Sequence, residues 1–167
     1  MAVLNVTPDS FSDGGCFLDP ATALEQAASL SSAGADILDL GAESTRPGSL
    51  PVPAEEQLRR LIPVLRMLVD RTEIPISIDT TSSEVAAKCL EAGAHMVNDV
   101  SAFRSDPQMI HLLAESGAPA VAMHSRGRPE TMQDDPRYDD VVREVVTHLA
   151  ERVDACVSGG IEKTQVV

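Results

Sequence analysis

Five apolar runs in this chain each close on a polar group: Asn5 after Val3-Leu4, Glu43 with Thr45 after Ile37–Leu40, Asp79 after Ile74–Ile78, Asn98 after Met96-Val97, and His124 after Ala118–Met123. A carboxylate accepts a pair of N–H donors, and an amide both donates and accepts. Asp79 and Asn98 together therefore match the edge of an aminopyrimidinone, the reading edge of a pterin. Such recognition is selective, because an analogue lacking those groups leaves buried polar atoms unpaired. Each residue alone has a plainer reading, Asp79 as a helix N-cap and Asn98 as a turn residue. The stretch Asn5–Gly15, N-V-T-P-D-S-F-S-D-G-G, adds two carboxylates, Asp9 and Asp13, beside the aromatic Phe11. Pro8 stiffens one end of this stretch and Gly14-Gly15 loosens the other, which suits a loop closing over a ligand. Its plainer reading is a solvated connector.

The elements that must position these groups alternate along the chain. Asp19-Pro20 opens a helix that Gly34 closes. The spacing of Leu58, Leu61, Ile62, Leu65 and Leu68 predicts a helix over about Ala54 to Val69, with Pro63 kinking it. Thr81 and Glu84 read as a capping box for a helix ended by Gly93, and Asp106-Pro107 opens another, ended by Gly117. A long helix from about Tyr138 to Val157 has Val142, Val145, Val146, Leu149 and Val153 as its apolar face, and Gln165-Val166-Val167 begins a sixth strand. Ala33-Gly34-Ala35, Ala92-Gly93-Ala94 and Ser116-Gly117-Ala118 repeat one helix-to-strand corner. Repeated strand–helix units with right-handed crossovers imply a parallel sheet. Polar groups at five strand ends favour a (β/α)8 TIM barrel over a doubly wound sheet, which gathers ligands at a single switch point. Barrels of this kind take roughly 250 residues, so the expectation is an incomplete barrel of five to six βα units in a single domain, 1–167.

Composition narrows the partners. With three Phe, one Tyr and no Trp, the core must be aliphatic, as in parallel sheets covered by helices. A formal net charge of −13 argues against nucleic acid or an anionic membrane as partner. An anionic substrate would need local cations or a metal. Cys16, Cys89 and Cys156 lie far apart in no metal-ligand spacing, the pattern of a reducing, cytoplasmic compartment. No apolar run is long enough to span a bilayer. Asn5-Val6-Thr7 matches a glycosylation pattern that carries no weight without a secretory route.

Longer motifs now carry a resemblance. V-L-N-V-T-P-D-S-F-S-D-G-G from Val3, G-A-D-I-L-D-L-G-A-E-S-T-R-P-G from Gly34, I-P-I-S-I-D-T from Ile74, G-A-H-M-V-N-D-V-S from Gly93 and M-H-S-R-G-R-P-E-T-M-Q from Met123 are similar, in order and spacing, to dihydropteroate synthase. That family folds as a (β/α) barrel and joins p-aminobenzoate to 6-hydroxymethyl-dihydropterin pyrophosphate, releasing pyrophosphate with Mg²⁺. The resemblance implies that Asp79 and Asn98 bind pterin. It places Asn5 and Asp13, with Asp9 beside it, at the Mg²⁺-pyrophosphate end. Phe11 and Pro47 become apolar walls around p-aminobenzoate, Thr45 and Arg46 part of a second substrate loop, and Met123 a cover for the pterin face. The implied mechanism is dissociative: pyrophosphate departs, the pterin methylene becomes cation-like, and the neutral aryl amine attacks. Asn5, Asp13 and Arg46 are the residues that would carry it.

The chain departs from the family pattern in several places. Gly41-Ala42-Glu43 replaces a double glycine before glutamate, and Thr81-Ser82-Ser83 lacks a basic residue common there. Ser101-Ala102 stands where glycine is common. A later strand aspartate, a lysine and an arginine-histidine pair of the family have no counterpart. The expectation is therefore a truncated synthase, marginally folded or paired with another copy, and poorly active; a homo-oligomer is left open. A non-catalytic pterin-binding paralogue and the pterin-binding barrel of a folate-dependent methyltransferase are the alternatives. The second would not need the Asn5–Gly15 and Glu43–Gly48 loops.

Overall fold

The computed structural model describes residues 1–6, 20–43, 52–125 and 137–167. Five strands, β1 (Ala2–Asn5), β2 (Leu38–Gly41), β3 (Ile76–Asp79), β4 (Met96–Asp99) and β5 (Ala120–Ala122), alternate with five helices, α1 (Pro20–Ser32), α2 (Ala54–Val69), α3 (Ser83–Glu91), α4 (Gln108–Ser116) and α5 (Val141–Ser158). All strand pairings are parallel, and the spatial order is β1-β2-β3-β4-β5. Each strand lies beside its predecessor with no reversal, so there is no switch point of the doubly wound kind. This is the winding of a (β/α)8 barrel, here with five βα units.

The two faces of the sheet differ sharply. Leu4, Leu38, Leu40, Ile76 and Ile78 point outward and are fully buried against Ala23 and Ala27 of α1, Leu61, Leu65 and Leu68 of α2, and Val85 and Cys89 of α3. Val97 and Ala120 continue that layer with Phe103, Met109 and Leu113 of the α4 region and Cys156 of α5. Each such Leu or Ile contributes about 1.5–3 kcal/mol on burial, enough in sum to let the inner face be polar. That inner face carries Asn5, Asp39, Ser77, Asp79, Met96 and Asn98, since side chains two apart on a strand share a face.

Local signals explain the element ends. Gly34, Gly93 and Gly117, at the three repeated corners, all have positive φ (95°, 105° and 69°). The expected capping box at Thr81 is corrected: Ser82 is the N-cap of α3, its hydroxyl accepting from the Val85 amide at 3.4 Å. Ser82 has the extended backbone a cap requires, and it stands three residues before that donor. Asp106 does more than open α4, for its carboxylate accepts from the Gln108 amide at 3.0 Å and from the Ser83 amide at 2.8 Å. One side chain thus ties two helix N-termini together. The helix α2 runs on through Pro63. Ala102 (φ 51°) and Phe103 (φ 62°) are buried in left-handed backbone, a strained conformation for residues with a Cβ, and Ala102 belongs to the Ser101-Ala102 pair set by the resemblance where glycine is common. Arg152 of α5 braces this turn, its Nε donating to the Ala102 carbonyl at 2.8 Å.

The β5 side differs from expectation in two respects. The apolar face of α5 is only partly covered: Val145, Leu149 and Val153 are half-buried, Val142 is 70% and Val146 61% exposed, and Cys156 is the buried residue of that helix. Periodicity identifies an apolar stripe without identifying what covers it. Of the expected sixth strand over Gln165–Val167 only an isolated bridge forms: Gln165 ends a 3-10 turn (Lys163–Gln165), Val166 is bridged in parallel to Ala120, and the Val167 amide donates to the Ala120 carbonyl.

Candidate functional site

Strand register builds the site. Asn5 pairs with Gly41, Gly41 with Asp79, Asp79 with Asn98, and Asn98 with Val121. In a parallel sheet paired residues present their side chains on one face, about 4.8 Å apart. Asn5, Asp79 and Asn98 therefore form a single transverse row at the C-terminal ends of their strands. Gly41 supplies the gap in that row. A Cβ placed there would lie 3.4 Å from Asn5 Oδ1 and 3.5 Å from the Asp79 Cβ, so the side chains on either side close in over a residue that has none. The second glycine of the family pattern is dispensable, for Ala42 is fully buried and is absent from the positive-φ residues.

Below the row lies a residue that reading the sequence missed. Asp39 of β2 is 3% exposed, and its Oδ2 accepts from Asn98 Nδ2 at 2.9 Å, across the intervening β3. Its other oxygen is buried without a hydrogen-bond partner, as is the hydroxyl of Ser77, the register neighbour of Asp39 on β3. The only sequence signal for Asp39 is a charge inside the apolar run Ile37-Leu38-Asp39-Leu40. Gln57 of α2 was missed too. It is 5% exposed; its Nε2 donates to Glu43 (3.1 Å) and to the Val52 carbonyl (2.8 Å), and its Oε1 accepts from the Thr80 hydroxyl (3.1 Å). Gln57 thus joins both flanks of segment 44–51 to the end of β3. Arg60 assists by donating to the Ala42 carbonyl at 3.0 Å.

The row is electrostatically loaded. Burial pushes the Asp79 carboxyl up to about 7, and the nearby charges of Asp39, Asp99 and Glu43 push the same way. Asp99 faces the helical layer and is fully buried. Burial raises its carboxyl as well, while the Ser101 amide, donating to its Oδ1 at 2.7 Å, opposes that.

The other predicted positions divide into two groups. Met123 follows β5 directly and is 37% exposed. Asp9, Phe11, Asp13, Thr45, Arg46 and Pro47 lie outside the described residues. His124 does not join the row. Its ring lies 4.9 Å from that of His148, edge-on, and 6.0 Å from that of Tyr138. There it lines a separate cavity of about 610 Å³ with Arg104, Arg143 and Glu151.

The arrangement can hydrogen-bond a flat heterocycle edge-on. Asp79 offers two acceptor oxygens, Asn98 an amide, and Asn5 a further amide oxygen at the far end of the row. A hard cation fits that far end. Mg²⁺ takes one or two protein oxygens and completes its shell with waters and phosphate oxygens, and Asn5, exposed at that end, carries an amide oxygen of this kind. Among the described residues no group of three His, Cys, Asp or Glu could hold a metal alone, and none of their helices is long and apolar enough to cross a membrane.

Known proteins resemble this chain along its whole length. The pattern of the family described as pterin binding enzyme matches residues 1–167. Dihydropteroate synthase of Escherichia coli K12 is 44% identical over 167 residues, all of this chain and 59% of that protein. Yersinia pestis dihydropteroate synthase, solved with a sulfonamide drug complex, superposes with a TM-score of 0.91 at 39% identity, over 99% of this chain and 60% of that one. The Xanthomonas albilineans dihydropteroate synthase solved with 4-aminobenzoic acid gives a TM-score of 0.89 at 46% identity, over 99% and 58%. The chain thus spans about three fifths of the length of these relatives.

Proposed function

The chain belongs to the pterin-binding enzymes, and from that premise we propose that it acts as a dihydropteroate synthase. It would condense 6-hydroxymethyl-7,8-dihydropterin pyrophosphate with p-aminobenzoate and release pyrophosphate. The observation that carries this reading is the register row Asn5–Gly41–Asp79–Asn98, which sets a carboxylate and an amide side by side where a pterin edge needs them. The relatives support the rest, one of them having been solved with 4-aminobenzoic acid.

In this reading Asp79 accepts from ring N–H groups, Asn98 pairs with the neighbouring ring positions, and Met123 covers the ring face. Asn5 and Asp13 would hold Mg²⁺, which when bound neutralises charge on the pyrophosphate. By the resemblance, Arg46 and Thr45 would serve the departing group, and Phe11 and Pro47 the aryl amine. The amine needs no activation by a side-chain nucleophile. What the protein must do is align it with the pterin methylene and exclude water as a competitor. Gln57 ties Glu43 to Val52 and would thereby fix the two flanks of segment 44–51. The two buried free thiols, Cys89 and Cys156, suit a reducing, cytoplasmic compartment.

A second reading, pterin binding without turnover, has one observation in its favour. The row contains carboxyl and amide side chains but no lysine or arginine to neutralise a pyrophosphate. Titration with the dihydropterin pyrophosphate, followed by a pyrophosphate-release assay with p-aminobenzoate and Mg²⁺, separates the two. Turnover supports the synthase and saturable binding without release supports the second reading, whereas an absence of binding rejects both.

A further inference from the structure

The buried carboxylate beneath the row is hard to explain as a contribution to folding. Asp39 is 3% exposed, yet its Oδ1 has no hydrogen-bond partner. Leaving a buried acceptor unmet costs about 1–3 kcal/mol, and an apolar residue of similar volume would avoid that cost. Its other oxygen, Oδ2, takes the Asn98 side-chain nitrogen at 2.9 Å. The atom that Asn98 turns toward Asp39 is thus its Nδ2, which can only donate. The amide is planar with its oxygen and nitrogen on opposite sides, so Nδ2 bonded to Asp39 turns Oδ1 away from Asp39.

We infer that Asp39 is a positioning residue that sets the polarity of Asn98, fixing its amide oxygen toward the ligand so that the site selects heterocycles presenting an N–H there. A ring nitrogen lone pair or a carbonyl at the same position would meet a lone pair and be rejected. The inference rests on the proposed pterin reading and adds the residue that orients its second contact. Asp39 touches Asn98 rather than the ligand, so its effect must pass through that amide.

The test uses the whole chain and 7,8-dihydropterin as probe, with affinity measured by calorimetry and fold checked by circular dichroism. D39A frees the Asn98 amide to rotate, and the affinity falls about tenfold. D39N can still turn an oxygen toward Asn98 Nδ2 and loses much less. D39A combined with N98A binds no more weakly than N98A alone, because Asp39 has nothing left to orient. Side-chain amide NMR of the unliganded protein gives an independent readout, the hydrogen-bonded Asn98 Nδ2 signal vanishing in D39A and persisting in D39N. Additive losses in the double variant, D39N falling as far as D39A, or an unchanged Asn98 signal in D39A would each overturn the inference and leave the pterin reading intact. A wild-type chain with the bonded amide signal but no affinity for dihydropterin would instead overturn the proposed function, and the ligand selectivity inferred for Asp39 with it.

Discussion

Two strand-end regions of this molecule started with the same credentials and came out differently. On β1, β3 and β4 the polar residue at or near the strand end lies in register across the sheet, and Asn5, Asp79 and Asn98 share one face around Gly41 of β2. At β5 the register partner of Asn98 is Val121, and His124 lies three residues further on, against His148 and Tyr138 at α5. Both regions hold polar side chains at the C-terminal edge of the sheet. Only the first has them at a common register level, around a carboxyl that burial pushes up to about 7. Both regions stand at strand ends, and register is what separates them.

The contrast breaks most visibly at Asp79. D79A removes both acceptor oxygens from the proposed ligand edge, and the affinity for dihydropterin falls by about 100-fold or more, since hydrogen bonds to charged groups contribute about 1.5–3 kcal/mol each. Calorimetric titration reads this directly, and a D79A protein that binds within a few-fold of wild type would remove Asp79 from the site. Next comes G41V. Its branched side chain enters the gap between Asn5 and Asp79, where even a Cβ is at 3.4–3.6 Å from both. Overpacking of this kind costs about 1–3 kcal/mol, here paid in binding, so the loss is about 10- to 100-fold. G41A, with contacts at ordinary van der Waals range, loses less than G41V.

The pH dependence sharpens the comparison because it pulls affinity and stability in opposite directions. Asp79 has a carboxyl raised from 3.8 to about 7, first by burial and then by Asp39, Asp99 and Glu43. Between those values the folded protein holds a proton that the unfolded chain has lost. This group's contribution to stability is full below about pH 4 and is lost as pH rises through about 7. D79N, which cannot ionise, is therefore more stable than wild type at pH 8, and the gap closes toward pH 4; denaturant melts at the two pH values check it. Binding runs the other way, for only the ionised carboxylate accepts two N–H groups. From pH 6 to pH 8 the affinity for dihydropterin rises about tenfold, following the ionised fraction. A flat affinity profile would mean that the proton is not on Asp79.

Gln57 offers a smaller effect with a different signature. Q57L unties Glu43 from Val52 and from Thr80, and stability falls by about 1–3 kcal/mol as buried polar groups lose partners. Dihydropterin affinity changes by no more than about threefold, while the KM for p-aminobenzoate rises more, because the segment Gln57 anchors carries Thr45, Arg46 and Pro47. Equal effects on both substrates would place Gln57 in the row rather than at the loop base.

What could be read from the sequence and what could not divide along physical lines. The alternation of elements, their order and the glycine corners are local properties, written in periodicity and turn chemistry, and α2 falls on the span its leucines predict. Asp79 and Asn98 were legible because a polar residue ending an apolar run is conspicuous. Asp39 was not, because its partner is 59 residues away and two strands over, a relation that exists only after the sheet has formed. Gln57 failed for the same reason, as one amide among the polar residues of an amphipathic helix. The valines of α5 failed in the opposite sense. Their spacing is a correct statement about the helix and says nothing of a covering surface.

The smallest expected effect is the most direct check on the contrast between the two regions. His124 is the strand-end residue that register leaves out, and its ring is packed against His148, whose imidazole is held below its ordinary value by burial and by the positive charge of Arg104. H124A should remove that ring packing, worth about 0.5–1.5 kcal/mol for an aromatic pair, and lower the melting temperature by a few degrees. Because the ring lies against α5 rather than in the row, dihydropterin affinity should change by less than about twofold. If H124A instead weakens binding as strongly as N98A, then the fifth strand end belongs to the site after all, and position along the strand matters more than shared register.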